Sequence, residues 1–183
     1  VAKVPHLPWE DVLLEKEYLA RYADNAMYHQ MNIIHGGKDG PGRSKVIADR
    51  LKANRYPYRF DIQDDLEHNV WDYAYEDSKM IPWMKGRRVP EHPDHVRFVA
   101  GKLRYDRAYW VQIEAFEDAS SKTPARVDAT LDRDQSAIRI EAENVYALTL
   151  DLPGLALTNG TVSIELNGQT LSAPTSTRLT CTS

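Results

Sequence analysis

The stretch IIHGGKDGPGRS, residues 33–44, contains residue types that could do chemistry in two different ways. Residues 37–44 follow the spacing of a phosphate-binding loop, G-x-x-x-x-G-K-[ST], except that Arg43 stands where that loop has lysine. The same letters also form an apolar strand ending at His35, followed by a loop with one carboxylate, Asp39. The first interpretation gives a nucleotide site, and the second gives the acid of a hydrolase.

The nucleotide site is the weaker interpretation. Arg43 presents a planar, rigid fork, whereas the lysine of a phosphate-binding loop is a point charge on a flexible stem. No apolar strand ending in aspartate follows, because the segment YRFDIQDD at residues 58–65 is too polar. We therefore expect residues 37–44 to form a glycine-rich turn into a helix, and a nucleotide phosphatase or kinase is the least favoured function.

The first half of the sequence alternates between helical and extended patterns up to about Trp83. Two strands separated by a helix of about a dozen residues cannot form a hairpin, so we expect parallel neighbours joined by a right-handed crossover. This order predicts an α/β fold for residues 1–90. The segments, alternately helix and strand, are PWEDVLLEKEYLARYADN, MNIIH, SKVIADRLKANR, YPYRFDI and EDSKMIPWMKGRR.

A histidine follows the second predicted strand, much as Asp39 follows the first. Catalytic groups gather at the carboxyl ends of the strands in an open parallel sheet, and neighbouring strands are about 4.8 Å apart. A carboxylate beside an imidazole fixes its tautomer and stabilises the imidazolium that forms during proton transfer. We therefore expect His68 to be a general base and Asp39 its orienting acid. Asp64 and Asp65 share the loop of His68 and would approach it from the wrong side.

From about His95 the helical period disappears, and β-branched or aromatic residues alternate with polar ones. Turn signals such as two Asn-Gly pairs separate the segments, which predicts a small antiparallel β-sandwich or barrel. The proline-containing stretch GRRVPEHPDH is the natural linker, so we predict two domains, residues 1–90 and residues 91–183. The strand segments are HVRFVAGKL, YWVQIEAF, ARVDATL, SAIRIEA, VYALTLDL and TVSIELNG.

The composition argues against several classes of function. There are 23 lysines and arginines against 27 aspartates and glutamates, a formal net charge of −4, so no excess positive charge is available to bind nucleic acid. No apolar run approaches the roughly 18 residues of a membrane span, and the lone Cys181 rules out an internal disulfide. His92 and His95 have no third metal ligand nearby. We expect no nucleic-acid, membrane, metal or cofactor partner.

Several of these features together resemble one enzyme family. A strand ending in His35 and Gly36, a loop aspartate, a helix, a second strand and then His68 followed by Asn-x-Trp-Asp are similar to the last third of α/β-hydrolases of the prolyl oligopeptidase and carboxylesterase kind. The resemblance covers about residues 20–88. It implies the C-terminal portion of an α/β-hydrolase sheet, with Asp39 as the acid and His68 as the base, because chain order in this family is serine, aspartate, histidine.

The second half carries a less specific resemblance. The segment LRYDRAYWVQIEAF, residues 103–116, resembles part of the β-sandwich appended to bacterial members of the same group. This likeness implies a periplasmic or secreted protein.

The sequence contains no G-x-S-x-G, the motif that presents the nucleophilic serine in that family. Ser44 follows a glycine at the right offset, but Val46 replaces the second glycine. We therefore expect the serine and its oxyanion hole to lie upstream of Val1, and TRLTCTS at the other end reads as an unfinished strand. The expected function is that of a C-terminal fragment of a serine hydrolase, a peptidase or carboxylesterase acting on peptide or ester substrates, which is inactive alone.

The alternative is a non-catalytic binding module, whose β-sandwich is a platform for carbohydrate or protein. Tyr105, Tyr109 and Trp110 could stack on a sugar ring, although alternate residues of a strand must face the core. This interpretation stays open from the sequence.

The first half contains aromatic residues at helix-like spacing. They could form an apolar wall for substrate, but we favour core packing under the loop of His68. We expect His35, at its strand end, to pack against or bond to the following loop. The aromatic residues are Trp71, Tyr73, Tyr75 and Trp83.

Overall fold

The computed structural model describes Leu7, Trp9, Glu10 and residues 18–182. Most of the first predicted helix, at residues 11–17, lies outside the described residues; Trp9 and Glu10 are helical, and Leu19–Ala26 forms a 3-10 helix. The chain divides into two compact units, of which one is Leu19–Pro90 and the other includes the residues from Glu91 onward.

The first unit contains two parallel strands with a helix between them in the chain. Strand β1 is Met31–Gly36 and strand β2 is Tyr58–Gln63. Their register runs from Met31 opposite Tyr58 to Gly36 opposite Gln63. Helix α1, Gly42–Ala53, buries Ala48 and Leu51, which are three residues apart and therefore share a face. The remaining helices are α2, Trp71–Tyr75, and α3, Met80–Met84, with 3-10 turns at Gly37–Asp39 and Glu76–Ser78.

Among its described residues, the second unit contains nine strands in two sheets. The five-stranded sheet has the order β10-β9-β7-β6-β3, and the four-stranded sheet has the order β11-β8-β5-β4. The strands are β3 His95–Ala100, β4 Arg107–Ala108, β5 Val111–Phe116, β6 Ala125–Asp132, β7 Ala137–Glu143, β8 Val145–Asp151, β9 Thr161–Leu166, β10 Gln169–Pro174 and β11 Arg178–Thr182.

One hydrophobic core joins the two sheets of this unit. Along β6, alternate residues are buried while those between them are not, as a strand with one core-facing side requires. Ile113 and Leu150 of the smaller sheet and Ile164 of the larger sheet belong to the same buried cluster. Each fully buried side chain of this size contributes about 1.5–3 kcal/mol. Trp110 also lies in this core, and its indole Nε1 donates to the carbonyl oxygen of Pro93 at 2.8 Å.

The predicted fold class is wrong. The described chain is predominantly β, with eleven strands in three sheets and only short helices, and not an α/β sheet with crossover helices. Only β1 and β2 form the parallel sheet, and one strand-helix-strand unit that no further parallel strand joins does not make an α/β fold. The larger sheet is not purely antiparallel either, because β7 pairs with β9 in parallel. Strand β8, between them in sequence, belongs to the other sheet.

The hydrogen-bonded residues His95, Arg97 and Asp128 of the larger sheet predict that the fold loses stability in acid. His95 Nε2 lies 2.6 Å from Asp128 Oδ1, and Arg97 Nε donates to Asp128 Oδ2 at 2.6 Å. Burial alone would raise the pKa of the Asp128 carboxyl, but the hydrogen bonds from His95 and Arg97 outweigh it and hold the pKa below its ordinary value of 3.8. Because the folded pKa is the lower one, this stabilisation is present above about pH 4 and is lost as the pH falls toward the folded pKa.

We expect Asp128→Asn to lower the free energy of unfolding at pH 7 by about 1–3 kcal/mol, because His95 and Arg97 lose their carboxylate partner. The further loss of stability between pH 4 and pH 2 should be smaller in the variant than in the parent chain. Urea unfolding at several pH values measures both effects. Asp134→Asn, at an exposed position, is the control, and equal acid sensitivity in all three proteins would contradict the assignment.

Candidate active site

The structure brings together the two residues that the sequence singles out for acid–base chemistry. Asp39 ends the 3-10 turn Gly37–Asp39 that follows β1, and His68 lies in the loop after β2. The distance from His68 Nδ1 to Asp39 Oδ2 is 2.7 Å. This pair, called the dyad below, has the distance of a charge-assisted hydrogen bond.

Close approach of two backbone loops positions the dyad. The amide of Lys38 donates to the carbonyl oxygen of Leu66 at 3.1 Å, which joins the two loops beside the dyad. A Cβ atom on Gly36 would collide with the backbone carbonyl of Glu67, and one on Gly37 would meet the backbone of Asp64. Glycine is therefore required here for space, and the loop of His68 lies directly against the end of β1.

The hydrogen bond of the dyad sets the protonation pattern of the imidazole. A carboxylate only accepts hydrogen bonds, so the proton in this contact belongs to His68 Nδ1, and in the neutral imidazole the lone pair is then on Nε2. The His68 side chain is 82% exposed, whereas that of Asp39 is 34% exposed. Most of the imidazole is thus accessible to a substrate or nucleophile, whereas the carboxylate is partly shielded.

A second histidine contacts the same carboxylate. His35 Nδ1 lies 2.9 Å from the hydroxyl of Ser44, and His35 Nε2 lies 3.6 Å from Asp39 Oδ2. Asp39 therefore lies between two imidazoles, of which only that of His68 is within hydrogen-bonding distance. The sequence predicts that His35 packs against or bonds to the following loop, and it does not predict the contact with Ser44, which lies in the first turn of α1. The sequence signal that could have predicted this contact is a serine in the first turn of the helix that follows a histidine at a strand end.

The contact of Ser44 with His35 also concerns residues 37–44, whose spacing is similar to that of a phosphate-binding loop. The segment between β1 and α1 is a 3-10 turn followed by Gly40, whose φ of 69° is left-handed. The serine that would coordinate a metal in a phosphate-binding loop is instead bonded to His35. This arrangement agrees with the expected turn from a strand into a helix.

Comparison with known proteins gives no relative from which a role could be transferred. No protein-family model matches this chain, and no curated protein or solved structure is significantly similar to it. None of these comparisons supports the resemblance to α/β-hydrolases of the prolyl oligopeptidase and carboxylesterase kind with an appended β-sandwich, and this prediction is wrong. The predominantly β architecture contradicts it as well. Any function must be argued from the geometry of the site.

The expected aromatic core under the His68 loop is only partly formed. Trp71 and Tyr75 are each 59% exposed, one helical turn apart on α2. Tyr73 is half-buried, and its hydroxyl donates to Asp61 Oδ2 at 2.7 Å. This hydrogen bond, with burial as a smaller cause, raises the pKa of Tyr73 above its usual value. Trp83 is half-buried with the guanidinium of Arg87 5.3 Å from its ring centre.

A cleft of about 740 Å³ lies on the loop that carries His68, and Leu66 and Asn69 of that loop line it. The loop after β2, helix α2 and the turn that follows it line the cleft, and its carboxylates are Asp64, Asp65, Asp72 and Glu76. Neither Asp64 nor Asp65 hydrogen bonds to His68, so the acid partner of His68 is Asp39.

The remaining candidate residues from the sequence belong to the second unit. His95 is bonded to Asp128, and the described residues contain no group of three or more potential metal ligands. Of the aromatic residues considered for carbohydrate, Trp110 is in the core and Tyr109 is half-buried, while Tyr105 is 66% exposed. Burial raises the pKa of Tyr109. Within the part of the chain that the structure describes, no helix is long and apolar enough to cross a membrane.

Proposed function

We propose that this chain provides the general base and the orienting acid of a serine hydrolase that cleaves peptide or ester bonds. The observation that carries the proposal is the 2.7 Å contact between His68 Nδ1 and Asp39 Oδ2, combined with the exposure of the His68 ring. The proposal rests on this pair and not on a fold family, since the same constellation of groups occurs on unrelated folds.

The geometry supports the following sequence of steps. His68 Nε2 takes the proton of a serine hydroxyl as its oxygen attacks the carbonyl carbon, and Asp39 stabilises the imidazolium. The imidazolium then gives its proton to the departing amine or alcohol. The acyl group stays bound to the serine as an acyl-enzyme. Water, activated by the same nitrogen, releases the acid and regenerates the serine. These steps transfer only protons and the acyl group, so they need no redox step and no cofactor.

The nucleophile is proposed to come from outside the described residues. Among those residues, no serine hydroxyl is hydrogen bonded to His68, and Ser44 contacts His35. The dyad alone supplies an oriented general base, but it contains no hydroxyl group whose oxygen could attack the substrate and form the acyl-enzyme. We therefore propose that these 183 residues act as a fragment of the enzyme and are inactive alone.

A fluorophosphonate probe tests this proposal in the complete gene product. We expect the probe to phosphonylate one serine outside residues 18–182 and to abolish hydrolysis of p-nitrophenyl butyrate, because the activated serine attacks the phosphorus. Peptide mapping by mass spectrometry locates the label. The 183-residue chain alone should remain unlabelled. Labelling at Ser44, or a complete product that hydrolyses neither esters nor peptide anilides, would overturn the proposal.

A further inference from the structure

We propose that the cleft beside His68 binds a positively charged group of the substrate, so that the hydrolase acts on peptides or esters with a cationic side chain. This inference rests on the proposed function and names the substrate class of the same site. Three features of the cleft support it: its place, its lining and an ammonium group of the chain itself that contacts it.

The cleft lies on the loop that carries His68. Leu66 and Asn69, which flank the position of His68 in the chain, both line it. Its volume of about 740 Å³ falls within the roughly 300–1,000 Å³ of small-molecule sites. A substrate whose scissile carbonyl lies at His68 can therefore place a neighbouring side chain in the cleft.

Carboxylates and exposed aromatic rings line the cleft together. Asp64, Asp65 and Asp72 are exposed, and none of them forms an ion pair with another described residue. Trp71 and Tyr75 present their rings to solvent from one face of α2. Ring faces attract cations through their quadrupole, most strongly for tryptophan, and the carboxylates add direct charge attraction. Guanidinium, ammonium and quaternary ammonium groups are the ligands that fit this combination.

The chain itself shows how an ammonium group is held at this cleft. Lys79 Nζ lies 3.7 Å from the centre of the Tyr73 ring and 3.5 Å from Glu76 Oε2. Both Tyr73 and Glu76 line the cleft. One aromatic residue and one carboxylate of the lining thus already contact a cation, while Trp71 and the aspartates are available to another.

Matched substrates test the inference in the complete gene product. The p-nitrophenyl esters of N-acetyl-lysine and N-acetyl-norleucine have side chains of similar length that differ by the ammonium group. We expect kcat/KM to be about tenfold higher for the lysine ester, mainly through a lower KM, since the cleft binds ground state and transition state alike. The double variant Asp65→Asn/Asp72→Asn should bring this ratio close to one. Asp49→Asn, at an exposed position on α1, should leave it unchanged.

The two proposals fail in different ways in this assay. Hydrolysis of both esters without preference, with His68 still required, would overturn the cationic substrate but not the hydrolase. Hydrolysis of neither ester, or hydrolysis that survives loss of His68, would overturn the hydrolase itself.

Binding to the 183-residue chain is an independent test that needs no turnover. Titration with arginine amide should shift the indole N–H signal of Trp71 in a ¹H–¹⁵N correlation spectrum, with Trp71→Phe used to assign the signal. Citrulline amide, the neutral analogue, should not shift this signal. We expect Lys79→Met to tighten arginine amide binding about threefold, because the competing ammonium is gone, and added salt to weaken it. Equal shifts with both amides, or unaltered affinity in Asp65→Asn/Asp72→Asn, would overturn the inference.

Discussion

Replacing His68 with glutamine is expected to lower kcat/KM of the complete gene product for p-nitrophenyl butyrate by about four orders of magnitude. Glutamine keeps a hydrogen-bond donor toward Asp39 but has no basic nitrogen to accept the proton of a nucleophile. The loss should appear in kcat, because proton transfer matters only in the transition state. The stability of the fold should change little, since the His68 side chain is 82% exposed.

His29→Gln is the matched control for this measurement, because His29 is an exposed histidine of the same unit. It should retain the full rate. Steady-state rates and urea unfolding curves of both variants separate catalytic loss from unfolding. A His68→Gln protein with more than a tenth of the parent activity would remove His68 from the mechanism.

Replacing Gly36 with alanine is expected to destabilise the first unit by about 3 kcal/mol or more and to disrupt the dyad. The added Cβ would collide with the backbone carbonyl of Glu67, and backbone atoms cannot rotate away as the end of a side chain can. The loop of His68 must then move away from the end of β1. We expect a lower urea midpoint, and activity reduced more than the unfolded fraction explains, because the distance between His68 and Asp39 increases.

Gly42→Ala is the control for this substitution. Gly42 begins α1, and a Cβ there would meet no heavy atom within 4 Å. Alanine at a compatible position stabilises a protein by about 0.4–1 kcal/mol, because it restricts the unfolded chain. Equal unfolding midpoints for Gly36→Ala and Gly42→Ala would show that the two loops are not packed together as described.

The strands of the second unit could largely be predicted from the sequence, because the signal is local. In β6, Ala125–Asp132, alternate residues face the core, so the period of two appears directly in the letters. Strand β10, Gln169–Pro174, was not predicted. Its only buried residue is Ala173, and an edge strand with one core contact leaves no alternation to detect.

The fold class could not be predicted because it depends on partners far away in sequence. The pattern around α1 indicates a strand, a helix and a strand, but it does not say how many further strands join the sheet. In the second unit, the parallel pairing of β7 with β9 arises because β8 belongs to the other sheet. Neither feature leaves a mark in the local pattern of apolar residues.

The candidate site was partly predictable. The carboxyl ends of parallel neighbours lie at one edge, which is enough to expect Asp39 near His68. The exposure of Trp71 and Tyr75 was not predictable, since their spacing defines one face of α2 but not what that face contacts. The close approach of the His68 loop to Gly36 was not predictable either, because a glycine before a loop is equally consistent with an ordinary turn residue.

A double-mutant cycle on kcat/KM tests most directly the central claim that Asp39 and His68 act as one catalytic unit. Single variants Asp39→Asn and His68→Gln are compared with the double variant in the complete gene product, using p-nitrophenyl butyrate. We predict a loss of about 10²–10⁴ for Asp39→Asn alone, and less than about a threefold further loss once His68 is already glutamine. An Asp39→Asn loss that is just as large in the His68→Gln background, or no loss at all, would contradict the account.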